Sequence, residues 1–237
     1  MGDMSNILKS TEKRIHESLL VHWERRLLIW LAARMPSWIN SDHLTLLGLG
    51  AMILAGISYS LSSQDPSMLH LVNLAILANW FGDSLDGTLA RYRKCQRPRY
   101  GFYVDHISDN LGVLWLFGGL GLSPYMEERV AFVLLAAYLL LSINSYLASH
   151  VLGEFKISFM KIGPTELRIL LVVGNCFLIA RPHQRLWGLE LGLFDVGGLV
   201  ATSIILLILI RSVAQNIHRL YQLEPTGDGL TEVSGGR

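Results

Sequence analysis

Cysteine and charge are both scarce in this 237-residue chain. The two cysteines, Cys95 and Cys176, form no metal-binding spacing, and the topology derived below sets them too far apart for a disulfide. Charged residues make up only 16% of the chain, against 51% hydrophobic, and the mean hydropathy is positive, which excludes an ordinary soluble domain of this length. A cleavable signal peptide is not expected, because residues 1 to 26 are dense in charge and no small-residue cleavage site follows an apolar core. There is no internal repeat, and no nucleic-acid partner is expected.

Apolar runs dominate instead. Stretches long enough, or nearly so, to span about 30 Å of hydrocarbon lie near residues 44–62, 67–90, 102–122, 130–150, 167–180 and 193–211. The expected fold class is therefore an all-α integral membrane protein with six transmembrane helices. The fifth run is the weakest, being short and carrying Arg168. Before the first run, Ile15, Leu19, Trp23, Leu27 and Leu31 recur every four residues among Lys13, Arg14, Glu24, Arg25 and Arg26. That pattern predicts an N-terminal interfacial amphipathic helix within residues 1–34. A six-helix domain would follow over 35–215. Residues 216–237 would form a tail whose end, from Pro225 to Arg237, is rich in Gly and polar residues and reads as disordered.

Lysine and arginine set the expected orientation. Six lie in the N-terminal segment up to Arg34, five more (Arg91, Arg93, Lys94, Arg97, Arg99) in the loop after the second run, and Lys156 and Lys161 after the fourth. The intervening loop at 62–67 has none and that at 123–129 has only Arg129, although Arg181 and Arg185 in the fifth loop fit less well. By the positive-inside rule both termini are cytoplasmic in a multi-pass protein.

Against this apolar background, residues 82–109, GDSLDGTLARYRKCQRPRYGFYVDHISD, carry four aspartates: Asp83, Asp86, Asp105 and Asp109. Each acid near the middle of a membrane helix costs roughly 2.5 to 3.5 kcal/mol on insertion scales, so four of them point to function. Asp83, Asp86, Gly87 and Ala90 stand at i, i+3, i+4 and i+7 along one stripe of the second helix. Gly101, Asp105 and Asp109 are spaced by four on the third. A short basic loop joins the two, so antiparallel packing brings four carboxylates together. They would repel unless a cation neutralised them, and an oxygen-only set suits Mg²⁺, Mn²⁺ or Ca²⁺. Small residues on the stripes leave room for a bulky ligand, and Arg91 with the basic loop offers charge for a phosphate. The pattern reads as metal-assisted phosphoryl chemistry, in which the cation clamps phosphate oxygens and a spare carboxylate activates a hydroxyl.

These residues resemble the signature of the CDP-alcohol phosphotransferase family, D-x-x-D-G-x-x-A-R followed by G-x-x-x-D-x-x-x-D. Asp83, Asp86, Gly87, Ala90, Arg91, Gly101, Asp105 and Asp109 match all eight fixed positions, and the stretch from Tyr92 to Tyr100 is one residue longer than the usual spacing. Pro36, Ile39 and Thr45 in PSWINSDHLT resemble the family's entry to its first helix, with Ser41 and Asp42 replacing Pro-Asn. The resemblance covers roughly residues 35–215. It implies a site for two ions, Mg²⁺ or Mn²⁺, held by Asp83, Asp86 and Asp105, with Asp109 a further ligand or the general base. Gly87, Ala90, Arg91 and Gly101 would line the cytidine diphosphate pocket. The reaction implied is transfer of a substituted phosphate from a CDP-alcohol, either CDP-diacylglycerol or a CDP-aminoalcohol, to an acceptor hydroxyl with release of CMP, in phospholipid synthesis. A homodimer among membrane lipids is also implied.

Some residues admit two readings. His106, whose pairing with Asp105 resembles that in the choline and ethanolamine phosphotransferases, is a candidate base or a histidine at the membrane surface. Glu166 is a candidate catalytic residue near the acceptor or ordinary first-turn chemistry, with Thr165 as a cap. Arg168, Lys156 and Lys161 either bind a phosphorylated acceptor or reflect positive-inside bias. Asp195 reads as a helix cap, and Trp23, Trp30 and Trp38 as interface anchors. The alternative to the enzyme is a divalent-cation transporter built on the same acids, although the outer halves of the helices hold no matching row.

Overall fold

The computed structural model describes residues 19–152, 164–180 and 192–224. Within them the chain forms seven helices and no strand: α1 Leu19–Arg34, α2 Ser41–Leu61, α3 Met68–Tyr92, α4 Pro98–Gly121, α5 Glu128–Leu152, α6 Pro164–Ala180 and α7 Leu193–Leu223. Each of the six apolar runs coincides with one of α2 to α7. Three of these, α2, α5 and α7, are apolar and long enough to cross a membrane, and Leu167–Ala180 in α6 is apolar but shorter. Helices α3 and α4 have the length but carry the aspartates. Helix α7 continues to Leu223, past the expected boundary at 215, and its 31 residues rise about 46 Å, well beyond a hydrocarbon layer.

The helix starts follow local chemistry. At α2, the Asn40 side chain accepts from the His43 amide (3.2 Å) while the Asn40 amide donates to His43 Nδ1 (3.3 Å), a reciprocal cap. Proline 98 opens α4, where its missing amide proton is harmless. Asp195 caps α7 as expected: it accepts from the Gly192 amide (2.8 Å) and also from the Glu127 amide (2.6 Å), tying α7 to the start of α5.

Two apolar cores hold the bundle. The larger lies at the end where α4 leads into α5 and gathers Tyr59, Leu69, Val72, Leu120, Leu134, Leu178 and Phe194. The smaller joins α1 to α2 and α3 through Leu28, Ala32, Leu44, Leu85 and Leu89. Helix α1 therefore buries Leu28 and Ala32, whereas Leu27, from the expected apolar stripe, is exposed. The cause is its neighbour: α1 packs on α3, with Glu24 Oε1 accepting from Trp80 Nε1 at 2.8 Å. Ile15 lies outside the described residues, as do the side chains of Leu19 and Trp23. Outside the cores, α3, α5 and α7 present Leu74, Leu77, Phe132, Leu140, Leu207 and Ile210 to the exterior. An apolar surface of this extent belongs in lipid.

Glycines set how closely α2 approaches its neighbours. A Cβ on Gly82 would stand 2.5 Å from the Leu44 carbonyl oxygen, and one on Gly119 would stand 1.9 Å from that of Gly56. Backbone thus lies against backbone at the α2–α3 and α2–α4 crossings, which is how small residues pack helices in membranes. Just after α3, Lys94 adopts a left-handed conformation (φ 56°). Arg93 then turns back to donate to the carbonyls of Ile39 (2.5 Å), Pro36 (2.8 Å) and Met35 (3.0 Å), fastening the α1–α2 connection to the end of α3. Arg97 pairs with Asp42 on α2. The basic loop is therefore partly structural.

Candidate metal centre

Asp83 lies on α3, two turns before its C-terminal end, and Asp105 and Asp109 lie one turn apart near the start of α4. Their carboxylates converge, each offering an oxygen within 4.8 Å of the other two. At that separation and an effective dielectric of about 20, a pair of carboxylates repels by about 3 kcal/mol. A cation among them relieves all three repulsions at once. The donor set contains only oxygen, with no thiolate or imidazole in the cluster, so the residues fit a hard divalent ion such as Mg²⁺ or Mn²⁺.

Asp86 lies outside that 4.8 Å group. It lines the same cavity, but its Oδ2 accepts from Thr45 Oγ1 at 2.6 Å and its Oδ1 from the Gly87 amide. Ser41 Oγ donates to the Asp86 carbonyl at 3.0 Å. Of the four aspartates expected to converge, three bring oxygens within 4.8 Å of one another, and the fourth lines the same cavity while bonded to the start of α2. Three residues advance a helix by about 300°, so the stripe position of Asp86 is already rotated from that of Asp83.

The acids lie in a partly open cavity of about 560 Å³ lined by α2 to α7. Asn79, Ser108, Tyr138 and Arg168 add polar groups near them. At the far end the lining is Phe117, Leu120, Met126, Leu134 and Phe194, all apolar. A polar head and an apolar depth match an amphipathic molecule, and the cavity size is within the range of ligand sites.

Among the described residues, Arg168 is the cation that pairs with Asp83. Arg168 Nη2 donates to Asp83 Oδ2 at 2.5 Å, and its Nε donates to Asn79 Oδ1 at 2.9 Å. Asn79, which is buried, donates in turn to the Gly48 carbonyl at 3.1 Å. The arginine that makes the fifth run look weak as a span is therefore an inward-facing part of the site.

Residues 38–214 match the family model described as CDP-alcohol phosphatidyltransferase. The chain belongs to this family. Among solved structures it is similar to phosphatidylinositol phosphate synthase (PgsA1) of Mycobacterium tuberculosis with CDP-DAG bound, at 16% identity and a TM-score of 0.52. That match covers 89% of this chain and 100% of the other. The same enzyme in complex with manganese and citrate matches at 17% identity and a TM-score of 0.48, over 89% and 91% of the two chains. The first likeness is one of fold. No curated protein matches the chain.

The remaining family positions fall outside the cavity. Gly87, Ala90, Arg91 and Gly101 do not line it; they lie about one turn beyond the acids, toward the loop joining α3 to α4. Arg91 is exposed, donates to Thr88 Oγ1 (3.2 Å) and folds over Gly87, where a Cβ would stand 3.3 Å from its Nη1. Gly101 has open space around its Cα. His106 also turns away from the cavity: its ring stacks on Phe102 (centroids 4.2 Å apart), meets Tyr146 edge-on and places Nδ1 3.4 Å from Asp105 Oδ2. The ring therefore lies beside Asp105. The Thr165 hydroxyl, in the first turn of α6, donates to Glu24 of α1 at 3.0 Å. Glu166 lies in the first turn of α6, with its side chain outside the described residues, as are Lys156 and Lys161.

Sequence reasoning left Thr45, Asn79 and Tyr138 without a role in the site. A signal existed for Asn79, which stands four residues before Asp83 on the same face of α3. None existed for Tyr138, one of two tyrosines in an apolar run.

Proposed function

We propose that this protein transfers a substituted phosphate group from a CDP-alcohol to an acceptor hydroxyl, releasing CMP, in phospholipid synthesis. The observation that carries the reading is the convergence of Asp83, Asp105 and Asp109 at the polar head of an apolar cavity, in a chain of this family. Asp83 and Asp105 hold the cations, with Asp86 recruited as a further ligand when its bond to Thr45 opens. Two Mg²⁺ or Mn²⁺ ions held by these carboxylates would supply positive charge to offset that of the phosphates and of the leaving CMP. Asp109 takes the proton from the attacking hydroxyl, and His106 orients Asp105. Glu166 acts near the acceptor from the first turn of α6. Gly87, Ala90, Arg91 and Gly101 receive the cytidine diphosphate at the open end of the acid cluster, where absent side chains leave the backbone accessible and Arg91 supplies charge. The apolar depth excludes water and accepts acyl chains, which belong to the donor if it is CDP-diacylglycerol and to the acceptor if the donor is a CDP-aminoalcohol.

The same reading places six spans in the membrane over α2 to α7, with α1 at the interface, the termini and the acids on the cytoplasmic side, and two copies in a homodimer. The transporter alternative finds less support, because the cavity's far end is lined by apolar side chains and an ion path needs polar groups through to the other face.

The test is CMP release by detergent-purified protein with Mn²⁺ or Mg²⁺ across a panel of CDP-alcohols and acceptors. Release is expected only when one donor and one acceptor are both present, and that pair names the substrates. A folded, metal-binding protein that releases no CMP with any pair contradicts the proposal.

A further inference from the structure

Among the described residues, the cation nearest the acids pairs with a carboxylate that the proposed metal site uses. Arg168 Nη2 lies 2.5 Å from Asp83 Oδ2, with the two side chains only 16% and 23% exposed. Asp83 is also one of the three carboxylates that converge within 4.8 Å. A guanidinium in that contact and a divalent cation in the cluster draw on the same carboxylate charge and repel each other, so full engagement of both is unfavourable.

We infer that Arg168 is a positioning residue that holds Asp83 in the metal-free protein and is displaced from it when a divalent cation enters the acid cluster. The inference rests on the metal site proposed above. Its second support is Asn79, which gives the guanidinium somewhere to stay. Arg168 Nε donates to Asn79 Oδ1 at 2.9 Å, and Asn79 is itself fixed by its bond to the Gly48 carbonyl of α2. Release from Asp83 therefore leaves Arg168 tethered beside the cavity by one hydrogen bond. In the metal-free protein the pair neutralises part of a cluster that would otherwise repel itself, and it ties α6 to α3. Cation binding replaces that tie by one between α3 and α4.

Competition of this kind has a thermodynamic signature that a purely structural arginine lacks. A group that stabilises only the metal-free state weakens metal binding by the same factor, and removing it strengthens binding. The experiment uses the purified full chain in detergent without substrate, and Mn²⁺ alone as the probe. Free Mn²⁺ is followed by electron paramagnetic resonance, and melting is recorded without metal and at saturation. Arg168→Gln is expected to bind Mn²⁺ about tenfold more tightly than the parent, within the usual range of coupling between sites. Its melting temperature should fall without metal and match the parent at saturation. Arg168→Lys, which keeps the charge without the planar fork, is expected to bind more tightly by a smaller factor, and carries the test if the glutamine variant does not fold. Unchanged or weaker Mn²⁺ binding, or an equal loss of melting temperature in both states, overturns the inference while leaving the metal site standing. A parent protein that binds no Mn²⁺ overturns both.

Discussion

Asp109→Asn is expected to lower CMP release by about 10²- to 10⁴-fold, the range over which a positioned general base acts, while the protein stays folded. Asparagine has nearly the same shape as aspartate and adds no bulk to the cavity that Asp109 lines. It cannot accept the acceptor's proton, and it removes one of the three charges that draw a cation into the cluster. The substitution also lessens carboxylate repulsion, so stability should hold or rise. Activity and stability then move in opposite directions, which is the mark of a group retained for chemistry. Release measured at saturating donor, acceptor and metal, beside a melting curve for each protein, checks both halves. Retained release would remove Asp109 from the base role.

Gly119→Leu is the second substitution with a large expected effect, and it acts through the fold. The Cβ alone would stand 1.9 Å from the Gly56 carbonyl oxygen and 2.4 Å from its carbonyl carbon. Those are backbone atoms of a facing helix, so no side chain can swing aside; α2 and α4 must separate. Overpacking in a close-packed interior costs about 1 to 3 kcal/mol, and more where backbone must shift. Helix α2 carries Thr45 against Asp86, and α4 carries Asp105 and Asp109, so separation also disturbs the acids. Loss of the folded species is expected in size-exclusion chromatography of the detergent extract. Gly118→Leu is the control: nothing lies within 4 Å of a Cβ there, and the folded species should persist. If the two variants behave alike, the α2–α4 crossing is not as close as described.

Much of the helical layout is legible in the sequence, because a lipid-facing chain must bond its backbone internally and advertise each helix as an apolar run. The cap at Asp195 is visible for the same local reason, since caps act within one turn, whereas the start of α4 at Pro98 lies four residues before the apolar run that marks it. The convergence of Asp83 with Asp105 and Asp109 follows from spacing by fours on helices joined by a short loop. What spacing does not reveal is which partner claims each side chain across helices. Asp86 shares the motif with Asp83, yet the hydroxyl that holds it comes from Thr45, forty-one positions earlier. Arg168 resembles a flaw in an apolar run until α6 is packed on α3, when it meets Asp83 and Asn79 across more than eighty residues. In α1 the residues packed on the bundle are Leu28, Leu31 and Ala32, while Leu27 of the same apolar stripe is exposed, since a period of four drifts round a helix of 3.6 residues per turn.

The most direct test separates transfer from transport in one preparation. Protein is reconstituted into liposomes enclosing a Mn²⁺-quenched dye, with the active CDP-alcohol and acceptor supplied, and CMP release and dye quenching are followed together. CMP release that requires the acceptor and fails in Asp109→Asn, with quenching no faster than in empty liposomes, is the expected result. Rapid quenching without CMP release would contradict the phosphotransferase reading and place the acids on an ion path.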